Sequence, residues 1–546
     1  MEENKRDKQD IFAKKMHGKI SRRYIVVFVT SFLLAMMLVW GYQIEENSEV
    51  FCSYETVMIF LVLLLMISMG IYCVFMLFDR LYIHRPIDVT GRKYLYVIFG
   101  VLLLGYLFHF LVFYPGLFVF DAEWQFEMYK GVQDLTEHNP VLHTLILGGI
   151  VDNIYQCTGR FNWGVAVYIL LQIVLCSFAF SYMLGYIYRR LKSKVLVAVS
   201  IIFLAFYPPI VLQVMSATKD TMFLPFLILV VVLSLEMIEN TGGFVKRPLK
   251  VFLWIFSAVF MIIFRNNCIY AVPVLIVMLF IGLKSQRLYF MGMLSGVFVL
   301  LLIYKCMVVP TVVTAEVDGR ELLSVPIQQL ARIYHTEDAD ILAEEKKVIE
   351  LLLTEKGVRL YHPKIADWPK YCFDMNYYND NYKDVNAMYV DLVGRNFKIA
   401  AESFLENTCG YWYPGSELVL SFERKGYWPM ENCYLCETNS KIPAIFNYYL
   451  QFHTSEYALD KSLALILYAP ATFFLVFMIM FAYAIDRRKV KYISVFSFIL
   501  TFWATYLLGP VALVRYTVYL FVMLPLYLCV VCEKDELSLA LQVCKR

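Results

Sequence analysis

The sequence predicts a mainly α-helical membrane protein with many spanning helices and one large, mixed but mostly helical polar segment. Residues of the hydrophobic set AVILMFWYC make up 60% of the 546 residues, charged residues only 17%, and the mean hydropathy is +0.60. Ordinary globular domains have about 45–50% apolar and about 25% charged residues. The net charge of +3 gives no indication of a nucleic-acid partner.

Twelve segments have the length and apolar character of a membrane-spanning helix, which needs about 20 residues. No small-residue cleavage site follows the first segment, so we expect the first two spans to direct insertion and to remain in the protein. The segments lie near residues 24–42, 55–78, 94–114, 164–187, 195–213, 221–238, 250–264, 268–283, 288–309, 462–485, 492–509 and 514–532.

The distribution of basic residues predicts the orientation of the spans. The termini and short loops of one face carry 28 Lys and Arg residues, whereas the other face carries seven if Lys461, the last residue of the long polar segment, is counted and the rest of that segment is left out. Basic residues are enriched on the cytoplasmic side of membrane proteins. We therefore expect both termini in the cytoplasm of a plasma-membrane protein, with the long polar segment on the outer face.

The spans divide the chain into six regions. We expect a basic cytoplasmic N-terminus, two added transmembrane helices, a transmembrane core with a first outer loop at 115–163, an extracytoplasmic domain, further transmembrane helices and a cytoplasmic tail. Amphipathic runs near 321–334, 340–353 and 385–408 predict helices in the extracytoplasmic domain, which we call the insertion. In order, the six regions are residues 1–23, 24–93, 94–309, 310–461, 462–532 and 533–546.

Two short sequences need a separate interpretation. Residues 140–156 are apolar but short and contain Asp152, so they are interpreted as an interfacial or re-entrant helix within the first outer loop. Cys433 and Cys436 have the spacing of a metal knuckle, but no second pair or histidine completes a zinc site. Cys433 and Cys436 are therefore interpreted as a local disulfide or as two free thiols.

Two acidic residues follow the third span. Pro115 and Gly116 end that span, and Asp121 and Glu123 come a few residues later. In an extended loop, side chains two residues apart can converge on one ion or hydroxyl, whereas on a helix they diverge. The alternative is a pair of solvated acids beside aromatic residues.

Two histidines lie near the start of the 140–156 segment. Pro140 suits the first position of a helix and Asn139 suits its N-cap, which would place His138 and His143 at the positive end of a short helix. Such a helix end binds anions. The alternative is that neither binds a ligand and that His143 is an interfacial aromatic residue.

Lys219 and Asp220 follow Thr218 at the start of a span. Thr218 can cap that helix, and Asp220 in the first turn suits the helix dipole, so the alternative for Asp220 is that it only stabilises the helix. Lys219 has no such structural explanation, because a cation is unfavourable at a helix N-terminus. We expect Lys219 to face an anionic ligand or a carboxylate such as Asp121.

Two arginines lie at other short connections on the same face. Arg265 and Asn266 separate two spans that have almost nothing else between them, so polar groups there must lie at or below interface depth. Arg515 begins the last span. The alternatives are a favourable helix C-terminus for Arg265 and interfacial snorkelling for Arg515.

Together these motifs place two carboxylates, two histidines and three cations on one predicted membrane face. That combination is typical of a site for a phosphorylated substrate. The sequence has neither the glycine-rich P-loop motif nor the dinucleotide-binding glycine motif.

The order of the motifs resembles the GT-C superfamily of polytopic glycosyltransferases, including bacterial members with this loop order. The resemblance extends from the third to the last span, and the first two spans are additional to it. It differs in the acidic motif, which is Asp-Ala-Glu and neither an Asp-Glu pair nor Asp-x-Asp. The motifs that carry it are Asp121 with Glu123, 138–140, 218–220, 265–267, 324–329, 411–414 and 509–516.

The resemblance implies transfer of a sugar from a polyprenyl-phosphate donor to a glycan, lipid or protein acceptor of the cell envelope. Asp121 would act as the general base, and Glu123 would support it or join it in binding a divalent cation, Mg²⁺ or Mn²⁺. Cations would bind the phosphate leaving group. The substrate-binding residues would be Lys219, Arg265, Arg515, His143, His138, Asn266 and Asp220.

Three other functions are compatible with the sequence. A ligase or polymerase of lipid-linked glycans would share the donor type. A transporter or flippase would also have many spans, but transporters favour polar residues at the midplane and internal repeats. The third is a scaffold without chemistry.

Overall fold

The computed structural model describes residues 3–81, 92–118, 120–283, 287–317, 319–416, 439–453 and 468–533, and within them the side chains of 3–21, 92–93, 120, 448 and 450–453 are not described. These parts of the chain are mainly helical, and they contain no β-strand, only two isolated bridges. The predicted helical class is therefore confirmed. Cys433 and Cys436 lie outside the described residues.

The chain before the insertion forms a succession of helices. Two of the connections between them are short helical turns of another type: a 3₁₀-helix at Asn266–Tyr270 and a π-helical turn at Tyr304–Val308. The α-helices are α1 (Glu3–Asn47), α2 (Tyr54–Arg80), α3 (Arg92–Val112), α4 (Phe120–Tyr129), α5 (Val141–Thr158), α6 (Phe161–Leu191), α7 (Lys194–Phe206), α8 (Pro208–Met215), α9 (Lys219–Glu239), α10 (Thr241–Val245), α11 (Pro248–Phe264), α12 (Val272–Gly282), α13 (Arg287–Ile303) and α14 (Val309–Val312).

The insertion is also helical where it is described. Its amphipathic runs correspond to α15, α16 and the pair α19 and α20, which meet at Asn396. Short 3₁₀-helices cover Gly319–Leu323 and Cys409–Tyr411. The α-helices are α15 (Ser324–His335), α16 (Ala343–Arg359), α17 (Asp367–Tyr371), α18 (Met375–Asp380), α19 (Tyr382–Arg395), α20 (Phe397–Thr408) and α21 (Pro443–His453).

The last part of the described chain returns to apolar helices. Two short 3₁₀-helices, Tyr506–Leu508 and Val514–Tyr516, flank a non-helical segment at 509–513. The α-helices are α22 (Pro470–Asp486), α23 (Val490–Thr505), α24 (Val518–Val522) and α25 (Leu524–Cys532).

Seven of the described helices are long and apolar enough to cross a membrane, or eight if α7 and α8 form one span. These two helices are bent by 56° relative to each other. The bend follows from the sequence, because Tyr207 precedes two prolines and a residue before proline disfavours the helical conformation. The protein is therefore a multi-pass helical membrane protein by helix length and composition. The seven are Arg22–Asn47, Tyr54–Arg80, Tyr94–Val112, Phe161–Leu191, Lys219–Glu239, Arg287–Val312 and Val490–Leu508.

Buried hydrophobic side chains form two large clusters. One extends through the apolar helices together with α4, α5 and α6. The other lies within the insertion and brings α15, α16 and α19 together around Ile327, Leu352 and Leu392. The insertion therefore has a hydrophobic core of its own.

A buried ion-pair network fixes the first two helices to α22. Arg23 pairs with Asp486 (2.6 Å) and with Asp79 (2.9 Å), and Asp486 is fully buried. Arg487 contacts the same two carboxylates, and the Tyr483 hydroxyl donates to Asp79 (3.0 Å). The network therefore joins the middle of α1, where its apolar part begins, to the C-terminal ends of α2 and α22.

The C-terminal end of α1 contacts the insertion. Lys364 pairs with Glu45 (2.5 Å), and the Ser48 hydroxyl donates to Glu406 (2.7 Å). Glu406 is 3% exposed and also accepts from Arg332 (2.6 Å). The end of α1 therefore contacts the insertion, while its middle is joined to α2 and α22.

Asp486→Ala should destabilise the fold, because it leaves Arg23 and Arg487 buried with one carboxylate between them. Breaking a buried pair by removing one partner costs about 3–5 kcal/mol. We expect the thermal midpoint of the detergent-solubilised protein to fall by several degrees. Arg359→Ala, which breaks an exposed pair with Glu355, should leave the midpoint nearly unchanged. Equal effects of the two substitutions would contradict this role of the network.

Candidate functional site

A short backbone pairing brings the loop before α4 beside the loop before α9. The Leu117 N–H donates to Met215 O (2.8 Å), and the Ala217 N–H donates to Leu117 O (2.9 Å). Gly116 precedes this contact with φ +121°, and a Cβ there would lie 2.4 Å from Ile169 Cγ1. Only glycine fits that conformation and that space. The pairing fixes the starts of α4 and α9 next to each other.

Asp121 lies in the first turn of α4 and faces two cations. Its Oδ2 accepts a hydrogen bond from Arg515 Nη1 (3.0 Å) and lies 3.7 Å from Lys219 Nζ. Burial alone would raise the pKa of Asp121, but Arg515, Lys219 and Arg265 together hold it well below its usual range. Asp121 is therefore ionised at neutral pH.

Lys219 is the first residue of α9. Thr218 caps this helix by accepting a hydrogen bond from the Thr221 N–H, as the sequence predicts. Lys219 Nζ donates to Asn139 Oδ1 (2.7 Å), which is a closer contact than the one it makes with Asp121. Asn139 is therefore a partner of Lys219 and not the predicted cap of α5, whose N-cap is Pro140.

Arg265 follows the last residue of α11 and forms a buried ion pair with Asp220. The two side chains are 10% and 5% exposed. The guanidinium also lies over two aromatic rings, 5.1 Å from the centroid of Tyr506 and 4.5 Å from that of Tyr516. These two rings are stacked, with centroids 5.5 Å apart. Cation–π contacts of this kind add to the ion pair in holding Arg265.

Arg515 connects the two ion pairs. Its Nη1 contacts Asp121, and its Nε lies 3.9 Å from Asp220 Oδ2. Lys219 and Arg515 thus share one oxygen of Asp121, while Arg265 and Arg515 share Asp220. We call Asp121, Lys219, Asp220, Arg265 and Arg515 the charged cluster.

Cations outnumber carboxylates in the charged cluster by three to two, and its side chains are only 5–20% exposed. Lys219 is also loosely paired, since its nearest carboxylate oxygen is 3.7 Å away. Glu321 of the insertion does not make up the difference, because it is 40% exposed and already pairs with Lys370 (2.8 Å). Uncompensated buried charge is costly, so the arrangement favours an anionic ligand.

The structure corrects the predicted role of His143. This residue is fully buried, its Nδ1–H donates to Gln125 Oε1 (2.9 Å), and its Nε2 accepts from the Tyr168 hydroxyl (2.6 Å). Burial and the nearby Lys219 lower the pKa of His143 to about 3. Because the ring is neutral and both nitrogens are engaged, His143 holds α4 through Gln125 and does not face an anion.

His138 and Asn266 lie at the edge of the charged cluster and not within it. His138 Nδ1 is 3.7 Å from Glu321 Oε1, so this residue joins the first loop to the insertion. Burial and Lys219 lower the pKa of His138, which favours its neutral form. Asn266 Nδ2 donates to Glu137 O (3.3 Å).

The predicted pairing of Asp121 with Glu123 is wrong in this structure. Both residues lie on α4, where successive residues are about 100° apart, so their side chains diverge by about 200°. Burial and the neighbouring Glu127 raise the pKa of Glu123, whereas cations lower that of Asp121.

The same divergence removes the predicted site for Mg²⁺ or Mn²⁺. Asp121 already contacts two cations, and Glu123 points elsewhere. Within the described part of the chain, no group of three or more His, Cys, Asp or Glu side chains is arranged to hold a metal ion. Asp121 and Glu123 therefore do not fit a divalent cation.

Sequence reasoning missed three partners of the charged cluster. Asn139 binds Lys219, and the rings of Tyr506 and Tyr516 lie against Arg265. Asn139 and Tyr516 lie within the motifs 138–140 and 509–516, so their position beside His138 and Arg515 was a signal that they could belong to the site. Tyr506 lies within a predicted span, and no local signal distinguishes it from the other aromatic residues there.

The fold and the site define a multi-pass helical membrane protein with a buried, mainly cationic cluster at the starts of α4 and α9. The chain matches, over residues 130–540, a family described as a family of unknown function (DUF6020), and it belongs to that family. The match includes Lys219, Asp220, Arg265 and Arg515 and leaves out Asp121. No curated protein and no solved structure matches the chain.

The buried His143 predicts a pH dependence of stability. Its pKa is about 3 in the folded protein against 6.5 for a free histidine, so the unfolded chain binds the extra proton first. Stability linked to His143 is therefore complete above about pH 6.5 and falls as the pH decreases toward 3. We expect His143→Gln to reduce the drop in thermal midpoint between about pH 7 and about pH 5.

The control for this measurement is His335→Gln, because His335 is exposed on the insertion. That variant should keep the pH dependence of the parent protein. An unchanged pH dependence in His143→Gln would mean that folding does not lower the pKa of His143, which would contradict its assignment as a buried neutral ring.

Proposed function

We propose that the protein is a GT-C-type glycosyltransferase that moves a sugar from a polyprenyl-phosphate donor to an acceptor of the cell envelope. The observation that carries the proposal is the charged cluster, in which Lys219 and Arg515 contact the ionised Asp121 and a third cation, Arg265, pairs with the neighbouring Asp220. A departing lipid phosphate needs cations, and an acceptor hydroxyl needs a base. The cluster has both within one site.

In this proposal the chain crosses the membrane twelve times and both termini are cytoplasmic. Support comes from helices at every predicted span. Besides the seven or eight helices of spanning length, shorter apolar helices α11, α12 and α22 lie at three further segments. The pair α24 and α25 lies at the last one. The charged cluster would then lie at the outer face, opposite the basic loops.

Lys219, Arg265 and Arg515 would bind the phosphate of the donor. Lys219 and Arg515 approach the same oxygen of Asp121, so a phosphate placed between them could contact both. Arg265 is held by Asp220 and two rings, which keeps its guanidinium close to the same place. Charge-assisted hydrogen bonds of this type are about twice as strong as neutral ones.

Asp121 would accept the proton of the acceptor hydroxyl. In the resting geometry it is a weak base, because Arg515 and Lys219 lower its pKa. A phosphate that binds these two cations offsets their charge and raises the basicity of Asp121. The proposal therefore includes an order of events, with donor binding before acceptor activation.

The transfer step then involves one bond made and one bond broken at the sugar. The acceptor oxygen attacks the anomeric carbon, and the bond from that carbon to the phosphate oxygen breaks. The electron pair remains on the phosphate, where the three cations stabilise it. The proton of the acceptor moves to Asp121.

Asp121→Asn should abolish transfer without weakening donor binding. General-base catalysis contributes about 10²–10⁴-fold, so transfer should fall by about that factor. Phosphate binding should be unchanged or tighter, because the substitution removes a carboxylate that competes for Arg515 and Lys219. The measurement is release of free polyprenyl phosphate in proteoliposomes supplied with a panel of synthetic polyprenyl-phosphate sugars.

The matched control is Asp152→Asn, since Asp152 pairs with Lys130 (2.9 Å) and takes part in none of the ion pairs of the charged cluster. It should retain full activity. No release from any donor by the folded parent protein would contradict the transferase, whereas parental release by Asp121→Asn would contradict only the role of the base.

Lys219→Ala should weaken donor binding by about 10–100-fold, as expected for the loss of a charged hydrogen-bond donor. It should also move the acid limb of the pH–rate profile to higher pH, because removing a cation raises the pKa of Asp121. Lys219→Arg should restore part of the affinity. Lys130→Ala, which breaks an exposed pair, should change neither quantity. Unchanged affinity and pH profile in Lys219→Ala would exclude Lys219 from the site.

A further inference from the structure

Tyr411 of the insertion makes two hydrogen bonds to one stretch of backbone. Its hydroxyl donates to Val511 O (3.1 Å) and accepts from the Leu513 N–H (3.4 Å). The ring is 1% exposed, so water does not replace these contacts easily. A phenylalanine would keep the ring and lose both hydrogen bonds.

Other residues of the insertion hold the same stretch. Asn407 Nδ2 donates to Gly509 O (3.0 Å), and the Ala366 N–H donates to Pro510 O (2.8 Å). Ile365 and Val511 form an isolated antiparallel bridge. Residues 509–513 lie outside the helices, so contacts with the insertion supply the backbone partners that a helix would otherwise provide.

The stretch ends two residues before Arg515. The short 3₁₀-helix Val514–Tyr516 follows Leu513 directly and places Arg515 beside Asp121. The ring of Tyr411 also lies 6.1 Å from that of Tyr506, which contacts Arg265. Tyr411 therefore adjoins the supports of two of the three cations.

We propose that Tyr411 is a positioning residue whose hydroxyl fixes Arg515 and thereby sets the affinity of the charged cluster for the donor phosphate. The identity of the ligand rests on the proposed function. The insertion then has a direct part in donor binding, because it determines where one of the phosphate-binding cations lies. No other role in the chemistry is assigned to Tyr411, which does not contact the charged groups through its hydroxyl.

The test compares Tyr411→Phe with the parent protein as full chains in nanodiscs. The probe is farnesyl phosphate, and farnesol, which has no phosphate, is its control. Because the hydrogen bonds of the hydroxyl are lost, the Kd for farnesyl phosphate should rise about 3–10-fold. Binding of farnesol should not change, since Arg515 has no charge to recognise on it.

The matched control is Tyr527→Phe. Tyr527 is fully buried in α25, and its hydroxyl has no hydrogen-bond partner among the described residues. This variant should bind farnesyl phosphate like the parent protein. If Tyr411→Phe fails to fold, Asn407→Ala replaces it, because it removes a single contact to the same stretch.

A double-mutant cycle separates positioning from a general structural effect. Arg515→Ala should weaken farnesyl phosphate binding more than Tyr411→Phe does, and adding Tyr411→Phe to it should cause no further loss. Independent losses in the double variant would overturn the positioning role. So would parental affinity in Tyr411→Phe, or equal losses for farnesol and farnesyl phosphate.

The outcomes also separate this inference from the proposed function. If Arg515→Ala weakens phosphate binding and Tyr411→Phe does not, only the positioning role fails. If Arg515→Ala leaves phosphate binding unchanged, the phosphate site of the proposed transferase fails, and the positioning role fails with it.

Discussion

Three basic side chains share two carboxylates in the charged cluster, and this sharing fixes the elements around it. Asp121 lies in the first turn of α4, Lys219 begins α9, Arg265 follows α11, and Arg515 precedes α24. The ion contacts therefore join helix ends from separate parts of the chain. Removing Asp220, for example, would leave Arg265 buried without its ion-pair partner, which costs several kcal/mol. The same constraint makes the cluster receptive to an anion, because its cations are in excess.

Excess charge alone does not identify a ligand site, as the other end of α9 shows. There Arg189, Arg190, Lys250 and Lys491 outnumber Glu236, Glu239 and Glu533, yet each of these cations contacts a carboxylate at 2.6 Å or less. Lys219 differs because its carboxylate is 3.7 Å away and its close contact is the Asn139 amide. A neutral amide leaves most of the ammonium charge unbalanced. The distinction between a structural and a ligand-binding network lies in how closely the cations are paired.

The sequence predicted the features that depend on local patterns. Helices lie at all the apolar segments. Lys219 faces a carboxylate, as expected for a cation that the helix N-terminus itself does not stabilise. The predictions for His143 and for the pair Asp121 and Glu123 were wrong because residues far away in the sequence determine where these side chains lie. The ring of His143 is occupied by Gln125 and Tyr168, which lie 18 and 25 residues away, and no spacing within one segment reveals that. Asp121 and Glu123 could converge only in an extended loop, and the helical state of α4 depends on its packing against α5 and α6.

A continuous series of contacts connects the N-terminal helix α1 to the charged cluster. Glu45 at the end of α1 pairs with Lys364, and the next two residues, Ile365 and Ala366, contact the backbone before Arg515. The network around Asp486 holds the middle of α1 through Arg23. Because the stretch at 509–513 has no helix to support it, its position depends on the insertion, and the position of the insertion depends in turn on α1. Helix α1 is therefore part of the structure that places Arg515 beside Asp121.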